Sequence, residues 1–271
     1  MQKSIGQTRM QIARQWLTVA AVLIAIAING ISNVYPPAGK NTGEVSNTIL
    51  GGVLITPAGY AFAIWGLIYI GLIAYSLYQA LPAQRYEPAF QKVSWGIIGA
   101  CVLQILWIYV FLTFQFWLSV LLILGVLLCL AYAYVNTRAV RATWKQRWLL
   151  QAPISIYFGW ITVATVVNIA GALYVMNIPS ESLATFSSTI EASLEGLSAT
   201  VLMMAISSGL AATVALKYQD ASYPAVIVWA LSAIAIRHSS TLLILTLVGV
   251  ALAVGLFGLI IKIKTTRTHL T

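Results

Sequence analysis

Charge is what this sequence has least of. Only 8% of its 271 residues are Asp, Glu, Lys or Arg, where a soluble domain carries about a quarter. That shortage excludes a surface wetted all round. Cysteine is nearly as scarce. Cys101 and Cys129 both sit inside apolar runs with no C-x-x-C, which excludes a disulfide framework and a thiolate metal site and leaves two small hydrophobes. The two histidines, His238 and His269, stand at the ends of apolar runs without ligand spacing, which speaks against a zinc site or a haem axial ligand. No phosphate-cradling glycine loop and no nucleophile elbow occur. No acid–base pair lies within an apolar run, so an enzyme is the less favoured reading and stays open, and any chemistry would belong largely to a bound molecule.

What the chain has instead is hydrophobic sequence, 60% of all residues. Apolar stretches of roughly 16–24 residues recur along it, each long enough to cross a ~30 Å hydrocarbon core as a helix. They lack the two-residue alternation of barrel strands, so the expected fold is an all-α polytopic membrane protein. Hydropathy places about eight spans, at 15–33, 57–80, 93–113, 116–135, 150–175, 195–216, 221–236 and 240–261. The seventh is short for a full crossing, which makes seven the competing count. The first resembles a signal peptide, with a basic start and an Ala25-Ile26-Ala27 triplet, but its apolar stretch is long for a signal core and it reads as a retained helix.

The basic residues orient these spans. Lys3, Arg9, Arg14, Arg85, Lys92, Arg138, Arg141, Lys145, Arg147, Lys217, Lys262, Lys264 and Arg267 all fall on one side. The other side keeps Lys40 and Arg237 and collects Glu44, Glu181, Glu191 and Glu195. An even span count with both termini cytoplasmic satisfies the positive-inside rule. The net charge of +9 then serves the anionic cytoplasmic leaflet, and no nucleic-acid partner is expected.

Two outer segments stand out by length, at 34–56 and 176–194. The first carries turn-forming Pro36-Pro37 and four glycines, and a loop this long is more often functional than passive. In the second, Ser180 or Ser182 is placed to cap a short helix. Eight of the nine tryptophans precede residue 161, and only Trp229 follows. The expected division is a five-helix core over 1–175, the outer polar loop 176–194, and additional helices with a basic tail over 195–271.

Three spans line up aromatic and amide groups on single faces. Phe62, Trp65 and Tyr69 fall at i, i+3 and i+7; so do Gln104, Trp107 and Phe111; Tyr157, Trp160, Ala164 and Asn168 extend the pattern to i+11. At 1.5 Å per residue, Trp65, Trp107 and Asn168 each lie roughly 10–12 Å below the outer surface. The groups are thus expected to converge in the outer half of the bundle, with the first outer loop as a lid. Flat rings suit a flat apolar ligand, and a buried amide needs a polar partner. The same features also occur as interfacial belts and interhelical hydrogen bonds.

These residues carry a family resemblance. The segment PAGYAFAIWGLIY (57–69) resembles the second-helix signature of the TspO/MBR family of tryptophan-rich sensory and translocator proteins, P-P-x-W-x-F-x-x-x-W-x-x-L-Y. Trp65 and Tyr69 keep their spacing, Phe62 sits one residue closer to the Trp, and Tyr60 stands for the first Trp. QILW (104–107) is similar to the family's N-x-x-W, with Gln104 for Asn. YFGWITVATVVN (157–168) resembles Y-x-x-W-x-x-F-A-x-x-L-N, with Tyr157, Trp160, Ala164 and Asn168 in register. The resemblance covers about residues 15–175 and implies an enlarged form with about three extra helices. It implies a five-helix bundle, often a homodimer, with a pocket lined by Tyr60, Phe62, Trp65, Tyr69, Gln104, Trp107, Tyr157, Trp160, Ala164 and Asn168. The ligand it implies is a tetrapyrrole, protoporphyrin IX or haem, with no required cofactor. A receptor or sensor follows; a secondary transporter of a small hydrophobic solute and light-dependent porphyrin breakdown are the alternatives. A bacterial inner membrane and a thylakoid both satisfy the charge rule.

Overall fold

The computed structural model describes residues 2–138, 142–176 and 186–268, with side chains over 6–138, 142–176 and 196–265. Among these residues the regular structure is helical, without strands. The long helices are α1 (Gln2–Val34), α3 (Ile64–Ala80), α4 (Pro88–Leu112), α5 (Phe116–Arg138), α7 (Ala152–Met176), α8 (Phe186–Tyr218), α9 (Ser222–His238) and α10 (Leu243–Thr268); the short ones are α2 (Thr42–Asn47) and α6 (Trp144–Gln146). Seven segments are long and apolar enough to cross a membrane, as lipid demands of a chain whose backbone groups must be satisfied internally. The protein is an integral, multi-pass helical membrane protein. The seventh expected span, 221–236, corresponds to α9. At 17 residues that helix is roughly 25 Å long, short of a ~30 Å core. Of the outer polar loop expected at 176–194, residues 177–185 lie outside the described residues, as do Ser180, Ser182 and His269, whereas 186–194 are helical and belong to α8.

Local signals set the helix ends. Pro88 opens α4 with an extended Glu87 before it, the first-turn position where a missing N–H costs nothing. The α4–α5 turn reverses through Phe114, whose φ of 64° is left-handed. Phe114 N–H donates to Phe111 O at 3.1 Å and Gln115 N–H to Val110 O at 3.1 Å, satisfying carbonyls the helix end leaves open. Thr143 begins α6 with a reciprocal capping box to Gln146, and a π-helical turn at Arg147–Gln151 leads into α7.

Contacts divide the chain into two units. One comprises residues 1–41 and 63–161, the other 42–62 and 162–271. The division falls inside α7, and it groups residues 42–62, an outer segment that overlaps the expected 34–56 loop and runs into the start of the second expected span, with the carboxy-terminal helices. In the first unit α1 lies against α3 and α4, and α4 against α5. Gly96 permits a close approach of α4 to α5: a Cβ there would stand 2.8 Å from Cys129 O and 2.9 Å from the Ala133 Cβ. Both thiols are free. In the second unit α9 packs against α8 and α10.

A buried polar network ties the first unit together at its basic end. Arg14, expected as a flanking charge, is only 3% exposed. Its Nη1 donates to Phe90 O at 2.9 Å and Ser94 Oγ at 2.6 Å, its Nη2 to Arg85 O at 3.2 Å and its Nε to Gln11 Oε1 at 2.9 Å. Every partner is a neutral oxygen. Beside it, Gln15 Nε2 donates to Gln79 O at 2.6 Å and Gln79 Nε2 to Gln15 O at 2.8 Å. This reciprocal clasp locks α1 to α3 and satisfies groups that hydrocarbon cannot.

Candidate functional site

Six of the expected ligand-binding residues lie in the first unit. On α3 the i, i+4 pair Trp65 and Tyr69 brings its rings to 5.5 Å, the neighbour relation the helical repeat dictates. Tyr157, from α7, meets the Trp65 ring edge-on at 6.2 Å. Its hydroxyl donates to Gln104 Oε1, on α4, at 3.3 Å. Three helices thus meet through Trp65, Tyr157 and Gln104, the three stripes read in the sequence. Trp107 stacks on Phe111 at 5.0 Å, and Phe111 meets Phe116 edge-on at 5.7 Å. Trp160 is 2% exposed.

This cluster carries unmet hydrogen-bonding capacity. Gln104 Nε2 and the Tyr69 hydroxyl are buried atoms without a partner. Each such group costs about 1–3 kcal/mol, so a structure that leaves two of them among aromatic rings has room in its energetics for a guest with acceptors. Gln104, Trp107, Tyr157 and Trp160 are buried, whereas Trp65 and Tyr69 are half-buried, which makes the α3 face the accessible side. His238 belongs to the other unit.

The other four expected residues, Tyr60, Phe62, Ala164 and Asn168, belong to the second unit. Asn168 is buried, Phe62 and Ala164 are half-buried, and Tyr60 is 42% exposed. Tyr60 packs edge-to-face on Trp229 at 5.3 Å. The outer segment is pressed onto the end of α7: a Cβ on Gly171 would stand 2.9 Å from Leu50 Cδ1, and one on Gly52 would run into the Tyr174 ring. Ile55, Val163, Met204, Ser207 and Ile234 help to line an apolar cavity of about 20 Å³, room for little more than one water-sized molecule and too small for a flat ring system.

Three functional candidates escaped the sequence reading: Trp229, Arg237 and His238 of α9. Trp229 Nε1 donates to Ala61 O at 3.1 Å. Arg237 Nη1 reaches Asn47 Oδ1 at 3.2 Å and Pro57 O at 3.4 Å, and Nη2 reaches Gly51 O at 3.4 Å. His238 Nε2 lies 2.8 Å from Leu54 O; a carbonyl only accepts, so Nε2 carries the proton. The signal available was isolation for two of them, since Trp229 is the lone tryptophan after residue 160 and Arg237 the lone outer-side arginine; His238 carried none.

Compared with known families, residues 15–262 match the family model described as TSPO-like protein. The matched span includes the three stripes and continues through α9 into α10. No curated protein and no solved structure matches the chain.

Proposed function

Because the chain belongs to the TSPO-like protein family, we propose that it is a membrane receptor for a flat, hydrophobic ligand of the tetrapyrrole kind. Trp65, Tyr69, Trp107, Tyr157 and Trp160 of the first unit supply the walls, and Gln104 the polar contact. The observation that carries this reading is the pair of unpartnered donors, Gln104 Nε2 and the Tyr69 hydroxyl, on residues that the helical stripes already single out. A ligand offering neutral acceptors, such as carbonyl oxygens or unprotonated ring nitrogens, relieves both. No charged side chain belongs to this set, so carboxylate groups on such a ligand gain nothing from it and remain toward solvent or headgroups. The aromatic faces supply dispersion and stacking over a wide, stiff area.

The test is a titration of the detergent-solubilised protein with protoporphyrin IX and with haem, following tryptophan quenching and the Soret band. The Trp65→Ala/Trp160→Ala double variant is titrated beside it. Loss of each stacking face is expected to weaken binding by roughly 1–3 kcal/mol, the scale known for base stacking on aromatic side chains. Equal affinity in the double variant and the parent sinks the assignment of this cluster as the site.

A further inference from the structure

The grip on the first outer segment comes from one face of α9. Trp229, Ala233 and Arg237 fall at i, i+4 and i+8, and His238 adjoins the last of them. Besides the bonds of Trp229, Arg237 and His238, Ala58 N–H donates to Ala233 O at 3.2 Å. Besides Asn47 Oδ1, the acceptors that Trp229, Arg237 and His238 reach in the segment are backbone carbonyls: Gly51, Leu54, Pro57 and Ala61. A helix that holds another segment by its carbonyls reads the path of that segment and not its side chains. The helix itself is 17 residues long, which suits a scaffold better than a crossing. Its two basic groups sit in its last turn, where the helix dipole also favours them.

We propose that α9 is the anchor of the first outer segment, with Trp229, Arg237 and His238 as positioning residues that fix its course and hold Tyr60 in place. Residues 42–62 are then free to vary in sequence wherever the backbone path survives, while α9 is not. The assignment stands apart from the ligand reading, because every contact it uses lies in the second unit.

Hydrogen–deuterium exchange of the full chain in detergent tests it without any ligand. The reporters are the amides of Val53, Thr56, Ala58 and Ala61, each hydrogen-bonded to a carbonyl of the segment or of α9. Arg237→Gln and Trp229→Phe each remove donors while keeping a side chain of similar reach. Each is expected to speed exchange at these amides roughly threefold to tenfold, the yield of one or two lost hydrogen bonds. Arg237→Lys, which keeps a cation, recovers part of the protection, and Leu54→Met, which keeps the accepting carbonyl, behaves as the parent. Exchange in α10 stays at the parental rate. Unchanged exchange at 53–61 in both α9 variants overturns the proposal. So does a uniform rise through α8 and α10, which would make these residues ordinary packing.

Discussion

Two clusters, one in each unit, treat their polar side chains in opposite ways. In the first, Gln104 and Tyr69 hold hydrogen-bonding groups inside an aromatic cluster with nothing to bind. In the second, Trp229, Arg237 and His238 each reach a carbonyl of the outer segment. Both carry polar groups in apolar surroundings, so polarity alone does not separate ligand site from scaffold. On the proposed reading, a donor left open on a motif stripe awaits a guest, and a donor closed on a backbone carbonyl, as in α9 and at Arg14, is a support.

Substitutions that strike one unit at a time break or sharpen this contrast. The largest effect is expected from Gly96→Leu in the first unit. Its Cβ would collide with the α5 backbone at Cys129, and overpacking of this sort costs about 1–3 kcal/mol. The midpoint of thermal unfolding in detergent should fall and ligand binding with it, while amide exchange at 53–61 stays as in the parent. Gly52→Val is the counterpart in the second unit, since any Cβ there meets the Tyr174 ring. Exchange across 48–58 should rise several-fold through local opening, with the apo quenching spectrum of the Trp65 cluster unchanged. A matching loss of ligand affinity in both variants would dissolve the division of labour.

The finest test is Tyr69→Phe. It deletes a hydroxyl that has no partner in the apo protein, so apo stability should hold or rise by up to about 1 kcal/mol, while affinity for an acceptor-bearing ligand falls by about 0.5–1.5 kcal/mol. Opposite signs in unfolding and titration distinguish a binding group from a packing group. A fall in both would make the hydroxyl structural after all.

The helices and the first-unit cluster were legible in the sequence for the same reason. Hydropathy over a 20-residue window reports burial in lipid, and the 3.6-residue repeat puts Trp65 beside Tyr69 and Tyr157 beside Trp160 on shared faces. Gln104 stood out because an amide in such a run demands a partner. Arg14 was read as a flanking charge, because a sequence does not distinguish a guanidinium that snorkels to the headgroups from one caged by Phe90 O, Ser94 Oγ and Arg85 O. The α9 contacts were invisible for a related reason. Their acceptors are main-chain carbonyls, which every residue possesses, so no pattern in 42–62 announces them.

The cage around Arg14 also fixes an order of events during synthesis. Three of its acceptors lie 71, 76 and 80 residues downstream. At about 5–20 residues per second, a ribosome needs roughly 4–16 s to deliver them after Arg14 itself emerges. For that interval α1 holds an arginine that its own helix cannot serve beyond Gln11, and the guanidinium must shelter among headgroups at the cytoplasmic surface. The guanidinium therefore gains its full set of oxygens only once α4 arrives, and the nascent protein has a clock set by the distance along the chain between a charge and the oxygens that will hold it.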